Sequence, residues 1–138
     1  MKKSMNAAII YFALAMAGGV FYREFTKFYG YSGATTLSVV HTHLFMLGMF
    51  LFLLLAVVCK ITKLEKEKLF RRFFLLYNIA LPFMAIMLLI RGIVQVTNTA
   101  LASSYDSMIS GFAGISHILM LISMIMLLVS LKKVLSSK

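Results

Sequence analysis

Four long apolar stretches, separated by short polar segments, divide this chain of 138 residues. We place them at about residues 5–22, 35–60, 70–97 and 107–131. As a helix, each is long enough to cross the membrane hydrocarbon, which takes about 20 apolar residues. The first stretch follows Lys2 and Lys3, as in a signal peptide, but it continues to about Phe21, so we expect a retained helix. The pattern predicts an all-α, integral membrane four-helix bundle that forms one transmembrane domain over residues 1–138.

The charged residues indicate how these helices are oriented. The chain is 62% hydrophobic and carries a formal charge of +10, mostly at helix ends and in short loops. The 60–72 segment and both termini are basic, whereas the 98–106 loop has no Lys or Arg. Since cytoplasmic loops are rich in Lys and Arg, we expect both termini in the cytoplasm. The same charges suit contact with membrane lipid headgroups. No basic face with interleaved aromatic residues is visible, so we expect no nucleic-acid partner.

Three histidines and one arginine lie within the apolar stretches. His41 and His43 lie about 6–8 residues from the outer end of the second helix, and His117 lies about 10 residues into the fourth. Arg91 lies about 6 residues from the outer end of the third. We therefore expect all four side chains in one layer in the outer half of the membrane. Ionisable groups there are usually functional. The alternative is that each is satisfied separately, by a serine, a backbone carbonyl or snorkelling to the interface.

The residue types in this layer restrict its chemistry. The four apolar stretches contain no carboxylate, which argues against carboxylate hydrolysis, di-iron sites and calcium or magnesium binding. Imidazole ligands leave heme iron, copper or zinc. We favour heme b, because it needs axial histidines on facing helices, an apolar slot and a cation near its propionates. His41, His43 and His117 are then the candidate iron ligands, and Arg91 is the candidate partner of a propionate.

The spacing of His41 and His43 separates their roles. Two residues apart on a helix means about 200° apart around its axis. Both therefore cannot face the same iron from one chain. One is expected to bind the metal, and the other to bond a neighbouring group, bind another metal or face another subunit. The sequence leaves open which of the two pairs with His117.

The second helix also carries a resemblance to known proteins. The segment His41-Thr42-His43-Leu44-Phe45-Met46-Leu47-Gly48-Met49-Phe50 resembles a helix of the heme-copper oxidase and nitric oxide reductase catalytic subunits, whose His-x-His pair ligates two hemes. The start Val40-His41-Thr42 also looks like the helix of those subunits where a lone His binds the low-spin heme. Over its full length the chain resembles an uncharacterised family of small four-helix bacterial membrane proteins. These share His-x-His-Leu-Phe and a later Gly114-Ile115-Ser116-His117.

The resemblance carries implications for assembly and function. The helices of the oxidase subunit form three arcs of four, so the resemblance implies that this chain is one arc of a homotrimer in a bacterial plasma membrane. The chain lacks the copper-site helix with its His and Tyr, the tandem His pair and the intramembrane acidic residues of proton channels. We therefore expect electron transfer or the binding or sensing of a diatomic gas rather than a complete oxidase. A redox partner or a quinol is then the candidate electron donor.

Two other functions fit some of the same residues. Eleven methionines and three histidines suit a copper or other metal-ion transporter, because thioethers and imidazoles bind Cu(I). Methionine is also a common flexible filler of apolar cores, and no tight methionine ladder follows one helix. A structural or accessory membrane subunit without a cofactor is the third hypothesis.

Overall fold

In the computed structural model, which describes residues 1–136, four long helices follow one another along the chain. They are α1 (Lys2–Phe28), α2 (Leu37–Ile61), α3 (Lys68–Val96) and α4 (Ser103–Ser136). Each is long and apolar enough to cross a membrane, and the described residues contain no strand. The predicted all-α architecture with four candidate membrane-spanning helices is confirmed.

Two helices extend beyond their apolar stretches. α1 continues through Arg23 and Glu24 to Phe28, where the sequence predicted a loop. α4 begins at Ser103 and continues through Lys133. A helix satisfies its own backbone hydrogen bonds wherever it ends, so it does not have to stop where the hydrophobic residues stop. Hydropathy therefore marks the part of a helix that suits hydrocarbon and underestimates its length.

Ion pairs identify which helix ends lie together. The N-terminal amine of Met1 contacts the Glu65 carboxylate in the α2–α3 connection. Lys133 Nζ, near the end of α4, lies 2.8 Å from Glu67 Oε2 in the same connection. The N-terminus, this connection and the C-terminal part of α4 therefore form one end of the bundle, which we call the basic end. The α1–α2 and α3–α4 connections form the opposite end, which we call the far end.

The helices pack in chain order, α1 on α2, α2 on α3 and α3 on α4. The core between the first three is aromatic: the rings of Tyr11 and Phe52 stack at 5.6 Å, and Tyr77 meets Phe52 edge-on at 5.6 Å. α4 packs on α3 through a buried stripe of serines and apolar residues, Ser116, Met120, Ser123, Leu127 and Ser130. Among the described residues α1 and α4 make no extensive contact, so the arrangement is open and these two helices form its edges.

α2 contains an irregular segment in its middle. Residues Leu44–Phe50 form a π-helix between the α-helical turns Leu37–His43 and Leu51–Ile61. Gly48 in this segment lies against α1, since a Cβ there would be 2.6 Å from Tyr11 Cγ. The Tyr77 hydroxyl of α3 donates to the Leu47 carbonyl at 2.8 Å. π-segments are rare and frequently occur at functional sites, and this one begins directly after His43.

Candidate functional site

One stripe of α3 joins α2 and α4 at the far end. Leu88, Arg91 and Gln95 are spaced three and four residues apart, so they share one face of α3. The Thr36 hydroxyl at the start of α2 donates to the Leu88 carbonyl at 2.8 Å. The Thr36 backbone N–H donates to Gln95 Oε1, also at 2.8 Å. Arg91 of the same stripe contacts Asp106 and Ser110 of α4. This face of α3 therefore contacts both α2 and α4.

Arg91 is held by two side chains of α4. Its Nη1 contacts the Asp106 carboxylate, and its Nη2 lies 2.6 Å from Ser110 Oγ. The Arg91 side chain is 26% exposed and that of Asp106 is 54% exposed. The guanidinium that the sequence assigned to a bound carboxylate therefore already has a carboxylate partner within the chain.

Sequence reasoning missed Asp106 and Ser110 as part of the site. Asp106 was assigned to a loop, but it lies in the first turn of α4, where a negative charge also suits the helix dipole. The sequence nevertheless contained a signal for Asp106. It is the one acidic residue between Glu67 and the end of the chain, and the other far-end carboxylate, Glu24, pairs with Arg23 on α1.

His117 lies on the same face of α4 as the partners of Arg91. Ser110 and Asp106 precede it by seven and eleven residues, which places each within about 20° of it around the helix. His117 Nδ1 lies 2.8 Å from the Ala113 carbonyl oxygen, and the side chain is exposed. Because a carbonyl oxygen only accepts, Nδ1 carries the proton and Nε2 of the neutral ring keeps a free lone pair.

His43 has the same local arrangement on α2. Its Nδ1 donates to the Val39 carbonyl oxygen at 2.7 Å, so its Nε2 also keeps the lone pair. Thr36, which contacts α3, precedes His43 by seven residues and lies within about 20° of it around the helix. His43 therefore lies on the α3-facing side of α2, about 10 Å further from the far end than Thr36.

The two histidines lie at similar depths, and Arg91 lies nearer the far end. His43 and His117 are each seven residues deeper than a residue that contacts the stripe, Thr36 or Ser110. Seven residues of helix correspond to about 10 Å. The sequence predicted one layer for all four side chains, whereas Arg91 lies about two turns outside the histidines. For His117 the difference arises because α4 begins at Ser103, which moves His117 deeper into the helix. For His43 it arises because Thr36, at the start of α2, contacts the stripe on either side of Arg91.

His41 faces α1 instead. Its ring stacks on the Tyr22 ring, with centroids 6.3 Å apart and planes 13° from parallel. It also packs close to Gly19, where a Cβ would lie 3.7 Å from His41 Cγ. His41 Nδ1 is buried without a hydrogen-bond partner among the described residues. His41 and His43 thus lie on different sides of α2, as their spacing predicts.

The histidines do not form a three-ligand centre within one chain. Within residues 1–136, no three His, Cys, Asp or Glu side chains lie close enough to hold a metal ion. The free thiol of Cys59 is buried near the other end of α2. What the site offers is two imidazoles, His43 and His117, with unprotonated Nε2 atoms on helices that flank the same stripe of α3. Two imidazoles are the complete axial set of a six-coordinate heme.

The four candidate membrane-spanning helices are consistent with a multi-pass membrane protein. The particular family is also defined, because the family model described as Protein of unknown function (DUF2871) matches residues 1–134. The chain belongs to this uncharacterised family, which confirms the expectation of membership in such a family. Searches of curated proteins and of solved structures found no match.

Proposed function

We propose that this protein is a b-type heme-binding protein of a bacterial plasma membrane, which acts in electron transfer or in the binding or sensing of a diatomic gas. His43 of α2 and His117 of α4 are the proposed axial ligands. The observation that carries the proposal is that, within the described chain, both rings keep Nε2 unbonded at similar depth beside the same stripe of α3, while Nδ1 donates to the carbonyl four residues earlier. The carbonyl bond by itself also suits a histidine that binds no metal. Metal-ligating histidines are commonly oriented by such a bond, with the other nitrogen left for the metal.

The surroundings of the two histidines suit a flat apolar cofactor. Leu121 lies one turn after His117 on the same side of α4 and is 60% exposed, so it offers apolar surface that a flat ligand would cover. The described residues place no carboxylate at the depth of the histidines, where a negative charge would oppose a propionate-bearing ligand. Arg91, about two turns nearer the far end, supplies the cation expected at the propionates. When bound through both histidines, heme would supply one-electron redox chemistry, and it would supply an iron that binds a gas once one histidine is displaced.

The remaining histidine has a different proposed role. His41 packs on α1 at Gly19 and Tyr22, away from the α3-facing side of its helix. In this proposal it positions α2 against α1 and does not bind the iron. The ring contacts of His41 and His43 support this choice between the two histidines, which the sequence left open.

The ligand assignment is tested by replacing each histidine separately. We expect His43→Ala and His117→Ala to lower the Soret absorbance per mole of purified protein by about tenfold or more, because lost metal contacts typically cost at least that much affinity. His41→Ala is the matched control and keeps the heme. Added imidazole should restore the Soret band to His117→Gly, which a misfolded variant would not allow. Loss of heme in His41→Ala with full retention in His43→Ala would overturn the assignment.

We further propose that the basic end is cytoplasmic and that the chain assembles as a homotrimer. Lys2, Lys3 and the α2–α3 connection support the orientation, because basic segments remain in the cytoplasm. The open arrangement of the helices supports assembly, because α4 exposes an apolar face that includes Ile118 and Leu121. A heme shared between His117 of one chain and a histidine of the next is compatible with the exposed position of His117. A quinol or a protein redox partner is the proposed electron donor.

A further inference from the structure

A groove at the basic end lies between α1 and α3. Its outermost part is a cavity of about 640 Å³, lined by Met1, by Lys2 and Lys3 of α1, by Phe70, Arg71, Phe74 and Leu75 of α3, and by Glu65 of the connection before α3. A second cavity of about 440 Å³ shares Lys3 and Phe74 with it and continues along the two helices to Leu14 and Pro82. The groove is therefore basic where it opens at the end of the bundle and mainly apolar along its length.

Three cations of this groove, Lys2, Lys3 and Arg71, lack a carboxylate partner within the described chain, whereas the Met1 amine pairs with Glu65. There are four Asp and Glu residues, and each contacts a different cation. The pairs are Glu24 with Arg23, Glu65 with the Met1 amine, Glu67 with Lys133, and Asp106 with Arg91. None of the four carboxylates therefore pairs with Lys2, Lys3 or Arg71. Their counter-charge has to come from outside these side chains.

Two helix N-termini add to the positive potential. α1 begins at Lys2 and α3 begins at Lys68, and neither has an acidic residue in its first turn, although Glu67, which pairs with Lys133, is the N-cap residue of α3. The unpaired N–H groups of a helix N-terminus carry partial positive charge and favour anions. Arg71 lies in the first turn of α3, so its guanidinium, two lysines and two helix ends all face the same opening.

We propose that this groove binds one anionic phospholipid. The phosphate lies at Lys2, Lys3 and Arg71, and an acyl chain follows the apolar part past Phe74 and Leu14. Basic pockets between membrane helices at the membrane surface bind anionic headgroups in this way. A soluble phosphate leaves the apolar length of the groove unused, and a zwitterionic lipid leaves the three cations without net counter-charge. The proposal is independent of the heme site, which lies at the other end of the bundle.

Native mass spectrometry of the detergent-purified protein tests the headgroup preference. Phosphatidylglycerol and phosphatidylcholine with identical acyl chains are added together at equal concentration. We expect about tenfold more phosphatidylglycerol adduct, falling to about equal adducts in the variant Lys2→Gln, Lys3→Gln, Arg71→Gln, since each cation near the surface adds attraction for anionic lipid. The control Lys60→Gln, Lys63→Gln, Lys66→Gln removes the same charge from the same end outside the groove and keeps the preference.

The acyl chain is tested separately from the phosphate. Leu14→Trp fills the apolar part without changing any charge and should lower the adducts of both lipids several-fold. Glycerol 3-phosphate, which has the head without the chains, should fail to displace phosphatidylglycerol at equal concentration. Equal binding of both lipids by the unmodified protein, the same loss in the lysine control, or displacement by glycerol 3-phosphate would each overturn the proposal.

Discussion

At the scale of single residues, Gly92 sets how closely α2 and α3 approach at the far end. A Cβ at this position would lie 2.6 Å from both the backbone nitrogen and Cγ of Leu37. The Gly92 carbonyl also accepts a hydrogen bond from the Thr35 hydroxyl at 3.2 Å. The backbone of α2 cannot retreat from a new methyl group without breaking these far-end contacts. This close approach places Thr36, and through it His43, on the stripe of α3.

Gly92→Ala is therefore expected to destabilise the protein by about 1–3 kcal/mol, the usual cost of overpacking. The measurement is thermal unfolding in detergent. Gly111→Ala is the matched control, because a Cβ at Gly111 would have nothing within 4 Å, and it should leave the melting temperature unchanged. An unchanged melting temperature in Gly92→Ala would contradict the close packing of these helices.

Arg91 carries a second prediction at this scale. Its positive charge lies about two turns from the proposed ligands and opposes loss of an electron from the bound heme. Arg91→Gln should lower the midpoint potential of the heme, as measured by spectroelectrochemical titration. Arg72→Gln, which removes an exposed arginine at the basic end, should not change it. Equal midpoint potentials in the Arg91→Gln and Arg72→Gln variants would show that the charge of Arg91 does not act on the proposed heme.

The candidate site was predictable at this scale only in part. A histidine or arginine in an apolar run is conspicuous, so His41, His43, Arg91 and His117 could be selected by residue type and depth. Their contacts could not be predicted, because the ring nitrogen that donates depends on the side-chain rotamer, and the rotamer depends on neighbouring helices. The partner of Arg91 could not be predicted either, because it depends on where α4 begins. Hydropathy does not mark that start, since the first turn of α4 is polar.

At the scale of elements, the π-segment of α2 is the feature most closely tied to the proposed site. It starts directly after His43, and Tyr77 of α3 donates to its Leu47 carbonyl. Hydropathy predicted the extent of α2 well, because a long apolar run indicates a membrane-spanning helix whether its backbone is α-helical or π-helical. It did not predict the change of pitch, which occurs where Gly48 lies against Tyr11 and the Tyr77 hydroxyl donates to Leu47.

Tyr77→Phe removes only that hydroxyl. Tyr77 is fully buried, so the Leu47 carbonyl loses its side-chain donor where no water replaces it. We expect a loss of about 1 kcal/mol of stability, typical of one hydrogen bond, measured by thermal unfolding in detergent. Tyr29→Phe is the control because Tyr29 is exposed. Equal melting temperatures for the Tyr77→Phe variant and the parent protein would show that this hydrogen bond does not support the segment.

At the scale of the whole molecule, the open arrangement of the helices determines what a single chain can do alone. α4 packs chiefly on α3 and leaves its opposite face uncovered. His117 is exposed on the same helix, so a neighbouring chain on α4 would also border the proposed heme site. The sequence predicted four membrane-spanning helices and their order. It did not predict which helices pack together, because hydropathy does not distinguish the faces of a largely apolar helix.

Assembly through α4 is tested by cross-linking. In a Cys59→Ser background, Ile118→Cys places a thiol on the uncovered face of α4, and Ile79→Cys places one on an exposed part of α3. A trimer with α4 along its three-fold axis brings the residue-118 thiols together. We therefore expect mild oxidation to link pairs of chains through residue 118 far more than through residue 79, and native mass spectrometry to find trimers. A protein that remains monomeric in mild detergent and in native nanodiscs would contradict the proposed homotrimer.

The absorption spectrum of the purified protein, oxidised and then reduced with dithionite, tests the central claim most directly. Expression is supplemented with heme precursors so that supply does not limit binding. The account predicts a Soret band that shifts on reduction, together with the sharp α and β bands of a six-coordinate b-type heme. A colourless protein with correct helical content would contradict it, and stoichiometric copper without iron in the same sample would favour the metal-ion transporter instead.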